Sequence, residues 1–134
     1  MGTKCVLLIE DNAVNRRLVQ FLLKSQGYEV WEVTSAPEAF AALKERLPDL
    51  ILMDVQLPGM DGLTATRQLK ADPVTRDIPV LAVTSYAMKG DETKALEAGC
   101  SGYVTKPIDK TLFLRAVAEA LGSAPSPDHS RKCP

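Results

Sequence analysis

Five short apolar runs, each ending at a polar residue and each followed by a segment of helical periodicity, constrain this chain more than any other feature. The first, Cys5 to Ile9, is continuously apolar, the pattern of a strand covered on both faces in a parallel sheet. Beyond Asn12, a suitable N-cap, Val14, Leu18, Phe21 and Leu22 follow helical spacing until Gly27 supplies a stop. The unit then recurs. Glu29 to Val33 reads as a strand, and Ala36 to about Arg46 as a helix opened by Ser35 and Glu38 at capping-box spacing, with Pro37 in the first turn. Leu50 to Asp54 forms the third strand, Val55 to Asp61 a loop, and roughly Gly62 to Ala71 a helix. Val80 to Thr84, Lys89 to Ala98, Gly102 to Thr105 and Asp109 to Leu121 complete the alternation. Five strands alternating with five helices imply right-handed crossovers and an α/β parallel sheet with helices on both faces.

Length and charge narrow the choice of function. At 134 residues the chain suits one domain and can bury its own core. Its 16 Lys+Arg against 17 Asp+Glu give a net charge of −1, which disfavours nucleic acid or an anionic membrane as partner. No apolar run approaches the roughly 18 residues of a membrane span, and Glu10 and Asp11 end the first run too early for a signal peptide. Cys5, Cys100 and Cys133 are few, odd in number and widely spaced, so we expect reduced thiols in a cytoplasmic protein. The Ser- and Pro-containing stretch 123–134 reads as a disordered tail, which leaves residues 1–122 for the folded unit.

The residues at the carboxyl ends of the strands carry the chemistry. Glu10 and Asp11 follow the first strand, Asp54 ends the third, Thr84 ends the fourth and Lys106 follows the fifth. Any one of them alone would pass for a solvated rim residue. Their shared register is what a site at the topological switch point of a doubly wound sheet requires. Three ionised carboxylates against one ammonium leave two uncompensated negative charges in a partly desolvated cleft. Either a carboxylate pKa rises or a cation binds, and an all-oxygen set with few protein ligands suits Mg²⁺. A carboxylate fixed beside a divalent metal and a lysine is placed to attack phosphorus, because both cations neutralise the equatorial oxygens of the transferring group. Asp54, at the end of Leu50-Ile51-Leu52-Met53, is the candidate nucleophile, and the Thr84 hydroxyl could bond a phosphoryl oxygen.

The segments VLLIEDN from Val6, LMDVQLPGMDG from Leu52, AVTSYAMKGD from Ala82 and GYVTKPID from Gly102 together resemble the receiver domain of bacterial two-component response regulators, over about Lys4 to Leu121. The resemblance implies a doubly wound (βα)5, flavodoxin-like three-layer sandwich with strand order 2-1-3-4-5. It implies that Asp54 accepts a phosphoryl group from a histidine kinase, a histidine phosphotransfer protein or a small phosphodonor. Mg²⁺ would be held by Asp11, Asp54 and the main-chain carbonyl of Gln56, with Glu10 acting mainly through water. Lys106 would pair with the phosphoryl group while Thr84 moves toward it. Tyr103 occupies the aromatic switch position, Pro107 resembles the cis-proline that aims the lysine, and the face of the fourth helix, fifth strand and fifth helix would carry the signal to a protein target. Gln56 and Tyr86 lie where side chains govern access of water to the phosphoryl group. The Asn12 and Asn15 pattern resembles both hybrid-kinase receivers and single-domain regulators.

Two other readings compete. A phosphatase with an aspartyl nucleophile needs a second Asp two residues beyond it, and position 56 is Gln. A flavin carrier needs a Ser/Thr/Gly-rich phosphate loop after the first strand, where this chain has two acids. His129 has a Pro-containing surrounding unsuited to a phosphodonor histidine. Arg16 and Arg17 read as a solvated helix face, and the last helix as packing Phe113, Ala116, Val117, Ala120 and Leu121 on the sheet. With nearly the whole chain occupied by the receiver, the expected output is a protein contact, and turnover of its own acyl phosphate is a secondary activity.

Overall fold

The apolar runs form the sheet the alternation predicts. In a computed structural model describing residues 4–55, 60, 62–84, 91–106 and 108–122, five parallel strands lie in the order β2-β1-β3-β4-β5. They are β1 (Cys5–Ile9), β2 (Glu29–Val33), β3 (Leu50–Asp54), β4 (Val80–Thr84) and β5 (Gly102–Thr105). Between them run α1 (Ala13–Ser25), α2 (Ala36–Glu45), α3 (Gly62–Ala71) and α4 (Asp91–Ala98), with α5 (Lys110–Gly122) last. The continuously apolar strands β1, β3 and β4 are the central three and are buried along their whole length. Strand β2, where Glu29 and Glu32 interrupt the apolar pattern, lies at an edge.

Strand alternation divides the core into two layers. Leu7, Ile9, Ile51, Met53, Val80 and Ala82 face α2, α3 and α4, meeting Ala39, Leu43, Leu69 and Ala95. Val6, Leu8, Leu50, Leu52 and Leu81 face α1 and α5, meeting Val19, Leu23, Phe113 and Val117. The last helix packs as its spacing predicts, with Phe113, Val117 and Ala120 buried.

Helix ends follow local chemistry. The Asn12 side chain caps α1 by accepting from the Asn15 amide at 3.0 Å. Gly27 and Gly99 take φ values of 87° and 109°, the left-handed region where a glycine ends a helix at little steric cost. The Ser35 hydroxyl accepts from the Glu38 amide at 3.3 Å, but Glu38 reaches back to the amide and hydroxyl of Thr34 rather than to Ser35. Asp109, expected as the first residue of the last helix, instead caps it by accepting from the Leu112 amide at 3.0 Å. Expectations for Gln56, Tyr86, Pro107, the Lys89 start of the fourth helix and the 123–134 tail fall outside the described residues.

Candidate functional site

The backbone ladder continues past the strand ends and fixes the polar residues there. The Glu10 amide donates to Val33 O at 3.1 Å, Val55 to Val83 O at 2.9 Å, and Lys106 to Thr84 O at 2.7 Å. Within the strands, Asp54 shares the parity of Leu50 and Leu52, whereas Thr84 shares that of Val80 and Ala82. Thr84 and Tyr103 lie on neighbouring strands, with Ala82 opposite Tyr103 and Thr84 opposite Thr105. Thr84 is buried, and the half-buried Tyr103 ring packs against the α2/α3/α4 layer.

Glu10, Asp54 and Lys106 meet directly. Lys106 Nζ lies 3.0 Å from Glu10 Oε1 and 3.3 Å from Asp54 Oδ2. The second Glu10 oxygen accepts from the Asn12 amide at 3.1 Å. Both carboxyl residues are almost wholly buried, 2% and 3% exposed, while Asp11 is exposed beside them. Burial and hydrogen bonding with Asp54 push the Glu10 pKa up to about 7, against the opposing pull of Lys106 and the Asn12 amide. Burial alone would lower the Lys106 pKa; the Glu10 hydrogen bond and the charges of Asp54 and Glu10 outweigh it and raise that pKa.

Glu10, Asp11 and Asp54 each offer an oxygen within 4.8 Å of the others. Such an all-oxygen set fits a hard divalent cation that retains several waters. The donor set supports the fit: three carboxyl groups share the site with Lys106 alone as a neighbouring ammonium among the contacts above, so a divalent cation there offsets charge that the lysine does not. Gln56, expected to add a main-chain carbonyl, lies outside the described residues.

Two contributors were not anticipated. Arg16, expected on a solvated face, directs one guanidinium nitrogen to Glu10 O at 3.1 Å and Asp11 O at 3.3 Å. Its Nε pairs with Glu32 on β2 at 3.5 Å. The expectation fails because the tight turn after β1 brings two carbonyls within the reach of a side chain that sequence periodicity places outside. Gly62, expected only as a helix start, brings α3 against the end of β3. A Cβ there would collide with Asp54 O and come within 2.8 Å of Met53 Cγ. The asparagine spacing and the glycine after the loop were the available signals.

A buried carboxylate at the end of a central parallel strand, flanked by two acids and facing a lysine, defines a receiver-type site on a flavodoxin-like sheet. Residues 6–118 match the response regulator receiver domain family, and the chain belongs to that family. Among its relatives, the polar-differentiation response regulator DivK of Brucella ovis is 45% identical over 122 residues, covering 91% of this chain and 99% of DivK. The receiver domain of a Pseudomonas aeruginosa sensor histidine kinase, solved with a magnesium ion coordinated in its active site cleft, is 35% identical. It superposes with a TM-score of 0.83 over 91% of this chain and 100% of its own. The receiver domain of a Syntrophus aciditrophicus signal transduction histidine kinase gives 31% identity and a TM-score of 0.84, covering 94% and 96%. The chain is a response regulator receiver domain, and these likenesses lend no support to the reading as an aspartyl phosphatase of related architecture. Among the described residues no helix is long and apolar enough to cross a membrane.

Proposed function

We propose that Asp54 is the phosphoacceptor of a phosphorelay or two-component system, in a unit spanning residues 1–122. The observation carrying this is the Asp54 carboxylate, fixed at the end of a buried strand with Lys106 Nζ at 3.3 Å and two further acids beside it. A carboxylate oxygen of Asp54 attacks phosphorus, the O–P bond forms, and the N–P bond of a donor phosphohistidine breaks with its electron pair returning to the imidazole. Lys106 then neutralises phosphoryl oxygens. Asp11 and Asp54, with Glu10 mainly through water and the expected main-chain carbonyl of Gln56, would hold Mg²⁺, which would supply the remaining positive charge. The Thr84 hydroxyl bonds the phosphoryl group and Tyr103 follows it, a population shift read at the surface formed by α4, β5 and α5. Leu96 on α4 and Leu112 on α5 are exposed there, suited to a downstream protein target.

The donor is a histidine kinase or histidine phosphotransfer protein. It docks over the exposed Val14, Leu18 and Phe21 of α1, which begins beside the acidic pair. The near-neutral charge fits a cytoplasmic protein that engages neither nucleic acid nor membrane. Its chemistry is confined to its own phosphorylation and dephosphorylation. Incubation with acetyl phosphate and Mg²⁺ tests the reading: one hydroxylamine-labile phosphoryl group is gained, and Asp54→Asn prevents it. Equal labelling of that variant, or labelling undiminished in excess EDTA, would overturn the nucleophile or the metal respectively.

A further inference from the structure

The turn between β1 and α1 must hold two adjacent acids against their mutual repulsion. Three features after Asp11 do this. The Asn12 amide holds one Glu10 oxygen, the Asn12 side chain starts the helix, and one Arg16 guanidinium nitrogen is shared between the carbonyls of Glu10 and Asp11 at 3.1 and 3.3 Å. The other side of the same guanidinium reaches Glu32 on the neighbouring edge strand at 3.5 Å, at the partly solvated rim of the sheet, with side-chain exposures of 23% and 28%. One planar group therefore ties the two peptide units carrying the acids to β2. An ammonium, a point charge whose three donors rotate at the end of a flexible stem, lacks the rigid planar fork that spans these three partners.

Charge alone would let Arg16 offset the acids only at the expense of the metal. A cation next to a site for a divalent metal repels it, and that repulsion is offset only because Glu32 pairs with the guanidinium. We infer that Arg16 is a positioning residue, which presets the Glu10–Asp11 turn for divalent-metal binding by clamping its two carbonyls to Glu32. The inference rests on the metal reading above and adds a residue that touches neither metal nor phosphoryl group. It also gives the Asn12–Asn15–Arg16 spacing a physical purpose, since the cap sets the helical register that carries Arg16 back over the turn.

The two roles predict opposite signs. If Arg16 only contributes charge, Arg16→Ala tightens cation binding; if it positions the turn, Arg16→Ala weakens it. Mn²⁺ is the probe, with free ion counted by electron paramagnetic resonance on the full chain and folding checked by circular dichroism. Expected are a roughly tenfold weaker Mn²⁺ affinity for Arg16→Ala, as for residues that orient metal ligands, and most of that loss persisting in Arg16→Lys. The Mg²⁺ concentration giving half-maximal labelling by acetyl phosphate should rise by the same factor. In metal-free protein, amide hydrogen exchange at Asn12 to Asn15 should quicken in Arg16→Ala. Unchanged or tighter Mn²⁺ binding in Arg16→Ala overturns the inference. Should that variant not fold, Arg16→Lys decides alone, since it keeps the charge and wild-type affinity there would sink the positioning role. Wild-type protein that binds no Mn²⁺ overturns the metal reading, and this inference with it. Wild-type binding with unaffected variants overturns this inference only.

Discussion

Lys106 Nζ stands 3.0 Å from Glu10 Oε1, closer than the 3.3 Å that separates it from Asp54 Oδ2. The family resemblance implies a lysine that pairs with the phosphoryl group on Asp54 and a Glu10 that acts mainly through water. In the structure the lysine bridges both carboxylates. The bridge holds Asp54 in place but leaves an excess of negative charge, partly relieved by the proton that Glu10 retains.

That proton makes metal-free stability depend on pH. Glu10 titrates near 7 in the folded state against 4.5 as its ordinary value. Between these values the folded protein holds a proton that the unfolded chain has released, so stability falls as pH rises from 4.5 to 7 and levels off above. The raised Lys106 pKa acts in the opposite sense but in another range, since its stabilisation is complete below 10.5 and is lost only at higher pH. Urea unfolding in EDTA should therefore show a decline of about 1–3 kcal/mol across pH 4.5–7. A flat profile, or a rise, would show that Glu10 is ionised throughout.

The same bridge predicts a coupling. Lys106→Met removes the ammonium and leaves two buried carboxyl groups facing each other. We expect a loss of about 2–4 kcal/mol at pH 8 in EDTA, as when one partner of a buried pair is deleted. Adding Glu10→Gln should recover most of it, because the amide removes the repulsion with Asp54. Glu10→Gln alone should be more stable than wild type under these conditions, with weaker metal binding in exchange. A double-mutant cycle measures the coupling, and additive effects would mean that the three groups do not act as a unit.

Gly62 tests how closely Asp54 depends on its backbone. A methyl group at position 62 meets the Asp54 carbonyl and lies 2.9 Å from Asp54 C, so the end of β3 or the start of α3 must shift. Gly102→Ala provides a matched perturbation away from the site, its Cβ meeting only the flexible Leu81 Cδ1 at 2.8 Å. Both variants should lose about 1–3 kcal/mol from overpacking. Only Gly62→Ala should slow acetyl phosphate labelling, by roughly tenfold to a hundredfold, since small displacements of a reacting group are costly. Equal rates for the two variants would remove Gly62 from the site.

How much of this was legible depended on which kind of signal each residue leaves. The runs of β1, β3 and β4 announce themselves because a strand covered on both faces has no polar positions to spare. Glu10, Asp54 and Lys106 were legible because polar residues ending such runs fall at one edge of a parallel sheet. Arg16 was not, because an arginine on a helix looks the same in sequence whether it faces water or folds back onto carbonyls. Only the turn geometry, set by the Asn12 cap, decides between these. Gly62 escaped for a related reason: a glycine opening a helix gives no hint that another strand's backbone lies against it. The Glu38 side chain choosing Thr34 over Ser35 is the same lesson at the scale of one hydrogen bond.

The exposed apolar stripe on α1 separates a small phosphodonor from a protein one. Phe21 is 70% exposed and Val14 77%, with Leu18 between them at helical spacing, on a helix that carries Arg16, Arg17 and Lys24 and no acid. Such a surface suits a partner helix with apolar residues flanked by Asp or Glu, because area buried at the centre of an interface and opposite charge at its rim act together. Acetyl phosphate needs none of this area. Phe21→Ala with Leu18→Ala should therefore leave labelling by acetyl phosphate within about twofold of wild type, while slowing transfer from a phosphohistidine protein by tenfold or more, the cost of losing an interface anchor of about 1.4 kcal/mol or greater. Because Phe21 is 70% exposed and Leu18 40%, the double variant should stay folded with only a modest drop in its unfolding midpoint, most of it from Leu18. Unimpaired transfer from the cognate phosphohistidine protein would move the docking surface away from α1, and a parallel loss with acetyl phosphate would mean that the substitutions disturb the acidic turn instead.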